Sequence, residues 1–117
     1  MHPYISCLFQ LSIKPEEFPA FKALIAQVVE ATNKEPGTLV YEYSVNEANN
    51  TAHILERYKV EGVVSHVDNT FAPFGARFLE MATVTSLFVY GTPDAEIRKR
   101  LDPFGAVYMT PFDGFSR

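Results

Sequence analysis

The 117-residue sequence has no tryptophan and a single cysteine, Cys7. One cysteine excludes an internal disulfide and any cysteine-rich zinc centre. Cys7 lies in an apolar, alternating segment, where a buried and inert thiol is expected. No apolar run approaches the ~18 residues of a transmembrane helix. Basic residues are in the minority, ten against fourteen acidic, for a net charge of −4. That balance argues against nucleic-acid binding through phosphate contacts. The only basic run, Arg98-Lys99-Arg100, sits between Glu96 and Asp102 and reads as a solvated helix end. No basic segment precedes Tyr4–Ile13, which Ser6, Gln10 and Ser12 interrupt, so it does not read as a signal peptide and a cytoplasmic location is expected. Phosphate-binding glycine loops, Gly-x-Ser-x-Gly, His-Glu-x-x-His and Cys-x-x-Cys are all missing. The histidines, His2, His53 and His66, have no metal-site spacing. Neither a metal nor a cofactor is expected.

What is present is a core. Apolar residues make up 47% of the chain, with ten Phe and six Tyr, which excludes disorder. The length suits one domain of the common ~100–150 residue size, able to bury roughly 65% of its unfolded surface. Ile5, Cys7, Phe9, Leu11 and Ile13 alternate, as in a strand over 4–13. Pro15 and two glutamates then lead into a helix from Phe18 to about Thr32, with Pro19 in its first turn. Residues 38–46 and 52–60 alternate around the Asn-rich loop 46–51 and read as a hairpin. Residues 61–82 carry Val63, Val67, Phe71, Phe74, Phe78 and Met81 at helical spacing, and Pro73 should divide them into two segments. A strand over 83–90 follows, then a short helix with Thr92 as N-cap before Pro93. An edge strand over 106–110 lies between two Pro-Phe turns.

The order β-α-β-β-α-β predicts an α+β, ferredoxin-like sandwich: an antiparallel sheet with two helices on one face, plus a C-terminal helix-strand extension. The face away from the helices should carry Leu8, Val40, Leu55, Leu87 and Val89. That is too apolar to face water, and a homodimer through the sheet is the simplest cover. Phe104, Val107, Tyr108, Met109, Phe112 and Phe115 make the tail too apolar to hang loose. Its strand could cover a sheet edge on its own subunit or on the partner; the reach from Gly91 to Ala106 favours the partner.

Two residues stand out for chemistry. His66 borders the apolar stripe of the second helix, either as a packing or surface residue or as a pocket proton acceptor, since a neutral imidazole suits acid–base work. Glu56 shares a strand face with Ile54 and Tyr58. It is drawn towards the core either as a partner of Arg77 or a tyrosine hydroxyl, or as a pocket acid with a raised pKa. Phe71, Phe74 and Phe78 are core by default, yet with Tyr41, Tyr43 and Tyr58 they could line a flat apolar pocket between sheet and second helix.

The run Glu35-Pro36-Gly37-Thr38-Leu39-Val40-Tyr41-Glu42-Tyr43, a short polar loop, Leu55-Glu56-Arg57-Tyr58 and then Ser65-His66 resembles the antibiotic biosynthesis monooxygenase domain over about residues 3–91. The resemblance implies residues 1–91 as that domain and 92–117 as an extension packing on a dimeric α/β-barrel. It further implies a cofactor-independent monooxygenase that oxidises a quinol or polycyclic phenol with O₂ through a peroxide. His66 would be the family's helix histidine and the catalytic proton acceptor. Tyr41, Glu56, Tyr58, Phe71, Phe74 and Phe78 would contact the aromatic substrate. Tyr58 stands where tryptophan is more frequent, and a chain without tryptophan departs from the haem-degrading branch. The alternative is a non-catalytic dimeric module of the same fold that binds a small ligand or simply assembles.

Overall fold

Alternation carries Ile5, Cys7, Leu11 and Ile13 into the interior along β1 (Tyr4–Ile13). The structure, a computed structural model, describes residues 3–117, so His2 lies outside it. Pro15 ends the strand, and one 3₁₀ turn leads into α1 (Phe18–Thr32), whose Pro19 falls where no intrahelical N–H is needed. Phe18, Phe21, Leu24, Ile25, Val28 and Thr32 form its buried stripe. β2 (Thr38–Asn46) and β3 (Thr51–Lys59) pair antiparallel across a 3₁₀ turn, with Asn50 in the left-handed region (φ 54°).

The second helix, α2, runs without a break over residues 63–81. It is α-helical over Val63–Ser65, π-helical over His66–Phe71 and α-helical again over Ala72–Met81. The expected division at Pro73 is therefore a change of pitch rather than a break. Pro73 has no N–H for the carbonyl four residues back and its ring crowds that carbonyl, so the wider turns before it absorb the misfit. β4 (Ala82–Tyr90) follows. The next helix, α3 (Ala95–Leu101), is capped by Asp94, whose Oδ1 accepts from the Ile97 N–H at 2.9 Å, and not by Thr92.

The sheet order is β2-β3-β1-β4-β5. Its first four strands are antiparallel, whereas β5 (Ala106–Met109) joins β4 in parallel. This corrects the expected exchange: β5 lies on β4 of its own chain, with Leu87 opposite Ala106 and Tyr90 opposite Met109. A second correction concerns Leu87 and Val89, which are fully buried on the helix side. The register between β1 and β4 slips at Gln10/Leu11, leaving Thr85 as an extra residue. That bulge reverses the alternation, so Val84 and then Leu87 and Val89 point inward. The open face keeps Leu8, Val40 and Leu55, joined by Phe88 and Val107. Leu55, Leu8, Phe88 and Val107 stand side by side across four strands.

On the helix side the core has two halves. One joins α1 to Leu11, Ile13, Ile54 and Phe78. The other joins α3, through Ile97 and Leu101, to Ile5, Cys7, Tyr58, Val63, Leu87 and Val89. The C-terminal extension is thus built into the core of its own chain. Among the described residues, no helix is long and apolar enough to cross a membrane.

Candidate active site

Where the two halves of the core fail to meet, they leave a cavity of about 60 Å³. Phe9 touches both halves at its edge. The sheet floor is set by strand register: Tyr41 on β2, Glu56 on β3 and Cys7 on β1 lie opposite one another, as do Tyr43, Ile54 and Phe9. α2 supplies Val63, His66, Val67, Phe71 and Phe78; β4 supplies Val84; Leu101 and Phe104 come from the end of α3 and the turn after it.

Of the residues expected here, His66, Tyr41, Glu56, Tyr58, Phe71 and Phe78 all line the cavity. Phe74 does not. It points to the α1 side of the core, half-buried, with the Arg77 guanidinium over its ring at 5.9 Å. Arg77 is accordingly not the partner of Glu56. The Tyr58 hydroxyl is, donating to Glu56 Oε1 at 2.5 Å.

Glu56 is only 8% exposed. Burial pushes its carboxyl up to about 8, with the Tyr58 hydrogen bond opposing and the charge of Glu35 adding to the shift. At neutral pH it is mostly a carboxylic acid. Tyr58 occupies one oxygen, and the proton on the other is available to a ligand. Burial also raises the Cys7 thiol and the Tyr41, Tyr43 and Tyr58 hydroxyls, helped in each case by the nearby Glu56 charge. The Tyr41 and Tyr43 hydroxyls bond each other at 3.1 Å.

His66 is 4% exposed, with its ring 5.2 Å from those of both Tyr41 and Tyr58. Burial lowers its pKa below 6.5, against the pull of Glu35. The imidazole is therefore neutral at pH 7. Its Nδ1 lies 2.9 Å from Glu35 Oε1, and Glu35 also accepts from the hydroxyls of Thr38, at 2.8 Å, and Thr70. Nothing else among the described residues hydrogen-bonds the ring. Glu35 reaches it because the Pro36-Gly37 turn crosses the start of α2 at backbone distance. A Cβ on Gly37 would come within 3.1 Å of the Gly62 Cα, and one on Gly62 within 3.0 Å of the Gly37 carbonyl.

Reading the sequence missed Glu35, Thr38 and Thr70. Glu35 sits 31 residues from His66, in a turn that carries part of the family resemblance but gives no sign of a contact with the histidine. Tyr43, read as a possible pocket aromatic, lines the cavity as well, whereas Phe9, Leu101 and Phe104 were legible as core residues but not as cavity walls. No group of three His, Cys, Asp or Glu side chains among the described residues could hold a metal ion.

A family model for antibiotic biosynthesis monooxygenases matches residues 5–63. No curated protein matches the chain. Among solved structures, MupZ from Pseudomonas fluorescens superposes with a TM-score of 0.85 at 27% identity, covering 99% of this chain and 96% of that one. Two others share the fold at 18% identity. Rv0793 from Mycobacterium tuberculosis has a TM-score of 0.65 and covers 78% and 96% of the two chains. A protein described as an antibiotic biosynthesis monooxygenase has a TM-score of 0.66 and covers 77% and 99%.

Proposed function

Because the chain belongs to the antibiotic biosynthesis monooxygenase family, we propose that its cavity oxygenates an electron-rich phenol or quinol with O₂, without a cofactor. The observation that supports this reading best is His66, a neutral imidazole tied at Nδ1 and unengaged at Nε2 inside an aromatic cavity. Nε2 takes the phenolic proton. The phenolate drives electron density to a ring carbon ortho or para to its oxygen that still bears hydrogen, and that carbon gives two electrons to O₂, forming a C–O bond. His66 returns the proton to the resulting peroxide. It then removes the hydrogen on the same carbon as the O–O bond breaks, and passes it to the departing hydroxide. One phenol and one O₂ yield one quinone and one water. Glu56, as the acid, donates a hydrogen bond to whichever oxygen gains charge, and the apolar walls keep water from competing.

The test is O₂ uptake by the purified protein with a panel of phenols and hydroquinones. His66→Ala should lower turnover by roughly 10²-fold or more while the protein stays folded. Unchanged turnover in a folded His66→Ala protein would remove the histidine from the reaction. Binding of the panel without any O₂ uptake would favour the non-catalytic ligand-binding module instead.

The same proposal includes a homodimer. The row Leu55, Leu8, Phe88 and Val107, with Leu55 49% and Val107 48% exposed, is an apolar strip on an open sheet face. A second copy laid against it would remove that surface from water.

A further inference from the structure

The geometry points to Glu35 as a positioning residue that holds His66 as the Nδ1–H tautomer and so presents the Nε2 lone pair to the cavity. Glu35 is not a wall of the cavity; it acts from behind, through the imidazole. Oε1 faces both His66 Nδ1, at 2.9 Å, and the Thr38 hydroxyl, at 2.8 Å, and Oε2 takes the Thr70 hydroxyl. A carboxylate has acceptors only. With Nδ1 that close, the ring must place its N–H there; the other tautomer would set a nitrogen lone pair against a carboxylate oxygen.

Two structural devices keep that arrangement stiff. The Gly37–Gly62 crossing presses the turn that carries Glu35 onto the start of α2, and the Lys59 N–H fastens it by donating to the Gly37 carbonyl at 2.8 Å. The π-helical stretch then delivers His66 and Thr70 to the same carboxylate. The other rings around His66 do not compete. The Tyr41 hydroxyl is bonded to Tyr43, the Tyr58 hydroxyl to Glu56, and Phe71 is apolar.

A carboxylate behind a histidine could equally be a mere pin between turn and helix, so the experiment separates the two roles. Nitrogen-15 NMR on histidine-labelled protein at pH 7, with His66 assigned by comparison with His66→Gln, reads the tautomer directly. Wild type should show Nδ1–H. In Glu35→Gln the amide can either accept from or donate to Nδ1, so the Nε2–H form should appear. Glu35→Asp should restore part of the Nδ1–H population. Glutamine can still bond the Thr38 and Thr70 hydroxyls, so the pin between turn and helix survives in Glu35→Gln while the constraint on the tautomer is lost.

The kinetic arm rests on the oxygenase reading. There kcat should fall at least about 10-fold in Glu35→Gln with little change in KM; in serine proteases the analogous loss of an orienting carboxylate costs more. A folded Glu35→Gln protein that still shows only Nδ1–H overturns the assignment. If no phenol is turned over, the oxygenase reading fails and the NMR result still decides the role of Glu35.

Discussion

Replacing Glu56 by glutamine should change how stability depends on pH more than it changes stability itself. Glutamine keeps the carbonyl that accepts from Tyr58 and nearly the same volume, so at pH 5 the two proteins should be close in stability. The wild-type carboxyl titrates at about 8 in the folded chain against 4.5 as its ordinary value. A group whose pKa is raised by folding stabilises fully below its unfolded pKa, and that contribution drains away as pH rises through the folded one. Between pH 4.5 and 8 wild type should therefore lose stability relative to Glu56→Gln at up to about 1.4 kcal/mol per pH unit, or roughly 4 kcal/mol over the whole window. That is a large part of the ~5–15 kcal/mol available to a small domain. Urea unfolding of both proteins from pH 5 to 8.5 measures it. His66 titrates in both, so its contribution, lost as pH falls below 6.5, largely cancels in the difference. A stability difference flat with pH would mean that Glu56 is ionised when folded, and would refute its role as a neutral donor.

Three further outcomes follow from the same geometry. Leu8→Glu places a charge in the middle of the open-face row and should convert a dimer to monomers of 13.2 kDa by light scattering, with the monomer fold retained by circular dichroism. Phe104→Ala removes one wall of the cavity and should widen it; calorimetry should then show 1-naphthol gaining affinity relative to phenol, and an unchanged ratio would remove Phe104 as a size limit. Gly37→Ala forces a Cβ to 3.1 Å from the Gly62 Cα, with backbone on both sides and no side chain to yield. It should lower the melting temperature by several degrees, as expected for a loss of about 1–3 kcal/mol in a domain of this size.

Much of the fold could be read from periodicity because one face of each early element is buried and the other is not. β1, α1 and the β2–β3 hairpin all end within a residue of where alternation and helical spacing place them. β4 was different. Leu87, Phe88 and Val89 are apolar in succession, so its pattern does not choose a face, and the extra residue at Thr85 that settles the matter leaves no mark in the sequence. The cavity was legible where one strand face carries it, in Tyr41, Glu56 and Tyr58. Helical spacing placed Phe71, Phe74 and Phe78 on one stripe, but Phe74 lies about 60° round the helix from Phe71 and packs towards α1. Glu35 could not be found in this way, since its role depends on a tertiary crossing between distant turns.

That crossing of Gly37 over Gly62 also works as a check on assembly. Sliding β2 along β3 by two residues would keep every apolar side chain on its own face, so hydrophobic patterning alone accepts the wrong pairing. Such a slip would bring Glu35 or Leu39 over Gly62, where even one Cβ would meet backbone at about the 3.1 Å found for an added methyl on Gly37. Only the pairing that stacks glycine on glycine lets the turn close, and only a closed turn delivers Glu35 to His66. The chain therefore carries a proofreading contact for its own sheet. A molecule that escaped it would have a plausible core but a His66 without its Glu35 partner, visible as a folded fraction in which the imidazole has lost its fixed tautomer.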